Sequence, residues 1–419
     1  MRIASLWSPK IRLAIRGRVD WRSPVGKIKS AAPSAFRIHF HAASVGEFEQ
    51  AKPLIEALRA ESALYRITVS FFSPSGYESQ KNWPHIDGAC YIPHDRQQEM
   101  NEFLNRITPD LIVVIRYDLW LEFMRQAGQR SIPVVLVCGV LRENSVRFFP
   151  GLRRFFAGLY GRLTFVHCVS REDRESFKRL APHVPVEVSG DTRYDRVVER
   201  MESREEGELV QTIRGIAGKR RILVAGSTWK EDERLLAVLN QREDLFLVIV
   251  PHEPGPEEVT AALDQFPSAA LLSQVTDEVS AGLRGIVVDR MGVLADLYRL
   301  ADIAYVGGGF GAGVHSVLEP AAFGLPVIAG PRINRSRDAT AMKDAGLLAI
   351  VEQEDELRAE VNGLLDDSSR LSAIRNRVGA FVNEQLGATA RILDSLHRQG
   401  LLPAGESASQ EVNDVNTGA

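Results

Sequence analysis

From residue 36 onward, short runs of Val, Ile, Leu and Phe alternate with amphipathic stretches, and the alternation runs through the chain twice. The first series has apolar runs at 37–41, 67–72, 111–116, 134–139, 165–169 and 186–189. Between them, 53–61, 99–107 and 171–180 space their apolar residues as helices do. Short, continuously apolar strands alternating with helices form a parallel sheet covered on both faces. A charge-rich interval at 204–219 interrupts the pattern. It then restarts with runs at 221–225, 245–250, 270–272, 285–288, 303–306, 326–329 and 349–351. Helical stretches at 231–241, 256–266, 293–300 and 356–365 lie between these runs. A chain of 419 residues is also too long for one ordinary core. The expectation is therefore α/β, with two doubly wound, Rossmann-like domains at 31–203 and 204–400. Residues 371–398 read as one or two closing helices, and the polar 401–419 as a disordered tail.

Ligands of doubly wound sheets bind outside the strand C-termini, and two such domains in tandem set those ends across a cleft. In the second domain the richest strand end is Tyr305-Val-Gly307-Gly308-Gly309-Phe-Gly311-Ala-Gly313-Val-His315-Ser316, with a helix expected at 314–323 that carries Glu319. Glycines let a backbone approach a ligand, and a helix N-terminus offers unpaired N–H groups to an anion. The same turn also fits a ligand-free connection, since G-x-G-x-x-A patterns are loose. Three further loops fall on this edge. Gly226-Ser227-Thr228 offers backbone and hydroxyl donors, or a plain N-cap. His252 ends the next strand, and Met291-Gly292 places an apolar side chain where it can pack on a base ring.

In the first domain, the first strand leads through Ser44 and Gly46 to Glu47. A carboxylate there can take a proton from a hydroxyl, or simply sit in the first turn of a helix, where the macrodipole favours its charge. Pro53 is expected to limit any helix before it to about one turn. Ser75 lies in a donor-rich turn, and Arg116 and Arg142 follow strands, as guanidinium forks for an acidic substrate.

Net charge of −3 gives no reason to expect nucleic acid. Cys90, Cys138 and Cys168 form no C-x-x-C pair, and no His/Asp cluster has metal spacing, so neither zinc, a metal ion nor a disulfide framework is expected. The absence of a long apolar run argues against a spanning helix. Residues 1–30 are basic, with Arg2, Lys10, Arg12, Arg16, Arg18, Arg22, Lys27 and Lys29 against Asp20, and Leu6, Trp7 and Ile11 are interleaved. That mixture suits an anionic membrane surface, although Pro9 and Gly17 are expected to leave little helix between them.

The segments His41-Ala-Ala-Ser-Val-Gly-Glu47, Phe71-Phe-Ser-Pro-Ser-Gly-Tyr-Glu78, Ser189-Gly-Asp-Thr-Arg-Tyr-Asp195, Ala225-Gly-Ser-Thr-Trp229 and Tyr305-Val-Gly-Gly-Gly309 with Leu318-Glu-Pro320 resemble, in order, those of the 3-deoxy-D-manno-octulosonic acid (Kdo) transferases. The resemblance implies a GT-B glycosyltransferase on the cytoplasmic face of the bacterial inner membrane. It would move Kdo from CMP-Kdo to a lipid A precursor with inversion, using no cofactor and no metal. It makes Glu47 the general base, with the acceptor on Ser44, Gly46, Ser75, Arg116 and Arg142. The donor would meet Gly226, Ser227, Thr228, His252, Met291, Gly292, Gly308, Gly309, His315, Ser316 and Glu319, the last holding the ribose. This chain departs from the family at Ser316, where Asn is frequent, and at His252-Glu253, where many members have Arg-His. Many members also carry an apolar N-terminal anchor, and this chain starts close to where one would end. A dinucleotide oxidoreductase, a GT-B nucleotide-sugar epimerase and a membrane-surface nucleotide-sugar sensor are the alternatives.

Overall fold

The computed structural model describes residues 9–26, 35–202, 207–275 and 282–403. These form two compact units, one running to Arg196 and resuming at Gln385, the other spanning Val197–Glu384. The expected boundary near 204 is thus displaced to 196/197. The closing helices also do not both stay with the second unit. The helix Ala388–Arg398 buries Ile392, Leu393 and Leu396 in the first unit's core, beside Leu54 and Leu58. Its start is fixed by Asp195, whose carboxylate accepts from the Gly387 and Thr389 amides (both 2.7 Å) and the Thr389 hydroxyl (2.6 Å). Residues 404–419, most of the expected tail, lie outside the described residues, as do 1–8 with Arg2, Leu6 and Trp7.

The first unit is a seven-stranded, wholly parallel sheet: β1 (Phe36–Ala42), β2 (Tyr65–Phe71), β3 (Gly88–Tyr91), β4 (Leu111–Ile115), β5 (Val134–Gly139), β6 (Phe165–Cys168) and β7 (Val186–Val188), in the order β3-β2-β1-β4-β5-β6-β7. Apolar clusters cover both faces, and the three cysteines are buried thiols. The helix after β1 runs unbroken over Val45–Glu61 with Pro53 inside it. An interior proline costs a helix about 3 kcal/mol. Burial of Phe48, Ala51, Leu54, Ile55 and Leu58 against the sheet offsets that, so the expected one-turn limit does not hold.

The N-terminal segment is helical over Pro9–Val19 and Arg22–Gly26. Gly17 lies within the first helix rather than ending it, and it packs closely on the Tyr91 ring, from which a Cβ would be 2.3 Å away. Trp21 is fully buried, edge-on to Phe103 with centroids 5.4 Å apart. Arg18 donates to the carbonyls of Ile92 (3.2 Å) and Pro93 (3.0 Å), and Arg22 forks onto Glu102. This part of the basic segment is built into the first unit.

The second unit repeats the theme: β8 (Arg221–Thr228), β9 (Leu245–Pro251), β10 (Ala269–Leu271), β11 (Gly285–Val287), β12 (Ile303–Val306), β13 (Val327–Ala329) and β14 (Leu348–Ile350). All pairings are parallel, in the order β10-β11-β9-β8-β12-β13-β14. Strand order reverses beside β1 in the first unit and beside β8 in the second, which puts one crevice between the ends of β1 and β4 and another between those of β8 and β12.

Candidate functional site

At the first switch point, Ser44 is the N-cap of the helix after β1 and Glu47 occupies its first turn. Glu47 is buried, and the Ser44 hydroxyl donates to its carboxylate. Glu49, two residues on, is instead paired with Lys52 and Arg196. The neighbouring loop packs on this one: Ser73 N–H donates to the Ala43 carbonyl (2.9 Å), and a Cβ on Gly76 would meet Phe71 and the Ser44 backbone. The exposed Ser75 sits in that turn, within 3.3 Å of the Ser73 hydroxyl, and Gly46 is exposed at the helix start. Arg116 follows β4 in the left-handed region at φ 73°. A non-glycine residue pays for such a conformation, and such strain clusters at functional sites. Arg142 is exposed on the loop after β5. It shares the sheet edge with Glu47, but no described contact joins the two.

A buried polar chain lies beneath these loops. Thr68 Oγ1 and Ser70 Oγ each lie 2.9 Å from the His39 ring nitrogens, and Ser70 Oγ is also 2.9 Å from His41 Nδ1. His41 Nε2 is 2.9 Å from Asp118 Oδ2, which also accepts from Trp120 Nε1 (3.1 Å). Burial, with His41 adding to it, pushes His39 down to about 3, so it is neutral. Burial pushes the Asp118 carboxyl up, but His41, Trp120 and the Arg18 charge together bring it below its ordinary value. Arg18 lies over the rings of Phe72 and Trp120 (4.9 and 5.2 Å), tying the N-terminal helix to this corner. Sequence reasoning missed this chain. The signal was two histidines at i and i+2 of a buried strand, which put both on one face.

In the second unit, the two strand ends expected to meet a phosphate, those of β8 and β12, pack backbone on backbone with each other and with the end of β13. A Cβ on Gly307 would sit 2.3 Å from the Ser227 carbonyl, and one on Gly309 2.6 Å from Gly330; Gly308 has φ +90°. The Gly308 amide donates to buried Asp232 (2.9 Å), which also accepts from the Tyr305 hydroxyl (2.7 Å) and the Trp229 amide (3.0 Å). Burial raises the Asp232 carboxyl above its ordinary range despite these donors. The Thr228 hydroxyl donates to Glu233 (2.9 Å). Two expected phosphate donors are therefore engaged inside the protein. The helix expected at 314–323 is only Leu318–Ala322; ahead of it the Val314 and His315 amides donate to the carbonyls of Arg332 and Gly307.

Other groups line this edge instead. Trp229, His252 and His315 form a stack, with His252 and His315 centroids 4.1 Å apart and Trp229 Nε1 donating to His315 Nε2 (3.1 Å). Burial, then His252, lowers His315. Ser227 is half-buried with φ 55°, and Ser316 is exposed. Gly226 lies under the Tyr298 hydroxyl, where a Cβ would be 2.2 Å away. Met291 is 71% exposed beside Gly292, which has φ +85°. Glu319 lines a small pocket with Arg200, Arg299 and Phe323. Arg332 and Arg335, not anticipated, each donate to a carbonyl of the glycine loop, at Gly311 (2.8 Å) and Ala312 (3.1 Å). A guanidinium has five N–H donors, so each retains capacity for an anion.

Residues 17–196 match the family model described as 3-deoxy-D-manno-octulosonic-acid transferase (kdotransferase). The chain is 28% identical over 412 residues to a 3-deoxy-D-manno-octulosonic acid transferase of Haemophilus influenzae, covering 94% of this chain and 93% of the relative. It is 26% identical over 354 residues to the transferase of Chlamydia muridarum, covering 82% of each. A UDP-GlcNAc 2-epimerase of Neisseria meningitidis superposes with a TM-score of 0.61 at 14% identity, over 87% of this chain and 100% of that one. That likeness shows the shared GT-B fold alone.

Proposed function

We propose that this chain, a member of the 3-deoxy-D-manno-octulosonic acid transferase family, moves Kdo from CMP-Kdo to a hydroxyl of a lipid A precursor with inversion and without a metal. Glu47 carries the reading. It is a buried carboxylate at the first unit's switch point, where Ser44 orients it. An acceptor hydroxyl is a poor nucleophile until its proton is removed. Glu47 takes that proton while the oxygen bonds to the anomeric carbon. The bond from that carbon to the CMP phosphate breaks on the opposite face, which inverts the centre. A positioned base contributes about 10²–10⁴-fold. Asp118, held by His41 and Trp120, ties the loop after β4 to β1.

On the second unit, the departing phosphate meets His252, His315 and the arginines Arg332 and Arg335, with Ser227 and the Gly309 loop beside them. Met291 packs on the base and Glu319 accepts from the ribose. The acceptor is a lipid, so the reaction takes place at the cytoplasmic surface of an inner membrane. The test is to incubate the protein with CMP-Kdo and a lipid A precursor, with and without EDTA. The reading expects release of CMP and a lipid heavier by Kdo in both. Turnover of CMP-Kdo with no change in lipid mass would refute transfer, and loss of product in EDTA would refute metal independence.

A further inference from the structure

The helix that follows β5, Pro150–Tyr160, is apolar on its outer side as well as its inner one. Its inner side is covered, with Leu159 and Tyr160 buried and Phe156 packed on the core. Its outer side carries Leu152 (45% exposed) and Phe155 (48%), and the turn before it adds Val146 (53%) and Phe149 (56%). A helix on a protein surface normally presents polar residues outward, and clustered exposed apolar residues mark an interaction site. Residues 142–162 also hold five arginines against one acidic residue, Glu143, which is paired with Arg179. Arg153 and Arg154 are both exposed within the helix, beside the apolar pair.

We propose that this helix and the turn before it are the face by which the protein docks on an anionic lipid bilayer, Phe149, Leu152 and Phe155 entering the acyl boundary and the arginines meeting headgroup phosphates. Amphipathic helices lie in the interface in this way, their long cationic side chains reaching back to the headgroups. The charge of the patch selects the occupant. A second copy docking through the same patch would set five arginines against five, which like-charge repulsion opposes.

The location fits as well. The first turn of the helix stands at the C-terminal edge of the sheet, the edge that carries Glu47. The Arg147 guanidinium, 5.9 Å from the Tyr117 ring, joins the segment to the loop after β4. A bilayer held here brings a lipid acceptor to the first unit's switch point. This last step rests on the transferase reading; the docking itself does not.

The basic N-terminal segment contributes less than its composition implies, since Arg18 and Arg22 are engaged within the unit.

The test uses the full chain and vesicles of phosphatidylcholine, alone or mixed with phosphatidylglycerol, with no substrate present. Wild type is expected to sediment with the anionic vesicles. Combined Phe149→Ser, Leu152→Ser and Phe155→Ser should weaken partitioning about tenfold or more at low and high salt, since apolar burial is lost. Combined Arg153→Glu and Arg154→Glu should remove the preference for anionic lipid by about tenfold or more, each charge near the surface mattering by a few-fold. Both sets lie on the exposed side and should keep the wild-type melting temperature and wild-type turnover on acceptor dispersed in detergent. Turnover on acceptor embedded in vesicles should fall with partitioning. Unchanged vesicle binding by either variant would overturn the proposal. So would a wild-type dimer in solution that the serine variant dissociates, which would assign the face to a second copy. Failed transfer in detergent by wild type would refute the transferase reading and leave the docking result standing.

Discussion

Asp232→Asn and Asp232→Ala should differ clearly in cost, because what Asp232 supplies to the fold is acceptor geometry and not charge. Its Oδ2 accepts from the Gly308 and Trp229 amides and its Oδ1 from the Tyr305 hydroxyl. Asparagine can reproduce most of this arrangement. Its oxygen takes both amides, and its NH₂ can donate to the Tyr305 hydroxyl oxygen, so only the hydroxyl proton loses its acceptor. Alanine leaves the Gly308 amide and the Tyr305 hydroxyl without a partner in a buried setting, while the Trp229 amide lies near solvent. At about 1–3 kcal/mol per buried donor left unsatisfied, Asp232→Ala, which orphans two, should cost about 2–6 kcal/mol, and Asp232→Asn, which orphans one, about 1–3 kcal/mol.

The pH dependence has a defined sign. Burial raises the folded-state carboxyl above its unfolded value. Ionised Asp232 therefore opposes folding at neutral pH, and the opposition disappears as pH falls through the raised value. Wild type should gain on Asp232→Asn as pH is lowered through that range. Urea unfolding at several pH values measures all three proteins. Equal losses in the Asn and Ala variants would refute the geometric argument, as would a loss below about 1 kcal/mol in Asp232→Ala.

Three other outcomes follow from the same contacts. Trp21→Ala should cost about 3–5 kcal/mol, as for other buried aromatics truncated to alanine, measured by thermal or urea unfolding. A chain shortened to Ser34 would suffer the same loss, so point variants are the cleaner test of surface binding. Glu319→Ala should weaken CMP by about 1.5–3 kcal/mol in calorimetric titration if its carboxylate accepts from the ribose; unchanged affinity removes it from the site. His39, held down at about 3, and His167, at about 4, stay neutral in the folded first unit while the unfolded chain protonates. Stability should fall as pH drops from about 6.5 towards those values, by about 1.4 kcal/mol per unit for each histidine, and His39→Gln should remove one proton from that slope.

The alternation of apolar runs with helical patterns made both sheets legible, because a parallel sheet buried on both faces demands that rhythm. The strand it concealed, β3, is the four-residue Gly-Ala-Cys-Tyr edge, which has no β-branched residue to announce it. Tertiary packing set aside local propensity at Pro53 and Gly17, where a buried helix face and the Tyr91 ring decide. The return of Ala388–Arg398 to the first unit depends on Asp195, nearly two hundred residues away in sequence, and no local signal records such a partner. At the candidate sites, Glu47 and the glycine turn stood out as motifs. What the glycines do was less visible. Gly307 and Gly309 are required by neighbouring backbone, and the Gly308 amide is held by Asp232. The His39–Ser70–His41–Asp118 chain and the Trp229–His252–His315 stack join residues of separate strands and loops; the spacing of His39 and His41 hinted at the first, and only the assembled sheets supply the partners.

The central claim is transfer of Kdo to a lipid with Glu47 as the base, and one single-turnover experiment addresses it. Wild type, Glu47→Gln and Glu49→Gln are each mixed in excess with CMP-Kdo and a lipid A precursor, and the lipid's mass is followed with time. Wild type should convert the lipid to its Kdo adduct. Glu47→Gln keeps the side chain's shape and can still accept from Ser44, so CMP affinity and melting temperature should hold while the rate falls about 10²–10⁴-fold. Glu49→Gln, whose carboxylate serves Lys52 and Arg196, should lose stability more than rate. A Glu47→Gln rate within about threefold of wild type, far short of what a positioned base contributes, or no Kdo adduct from wild type, would contradict the account.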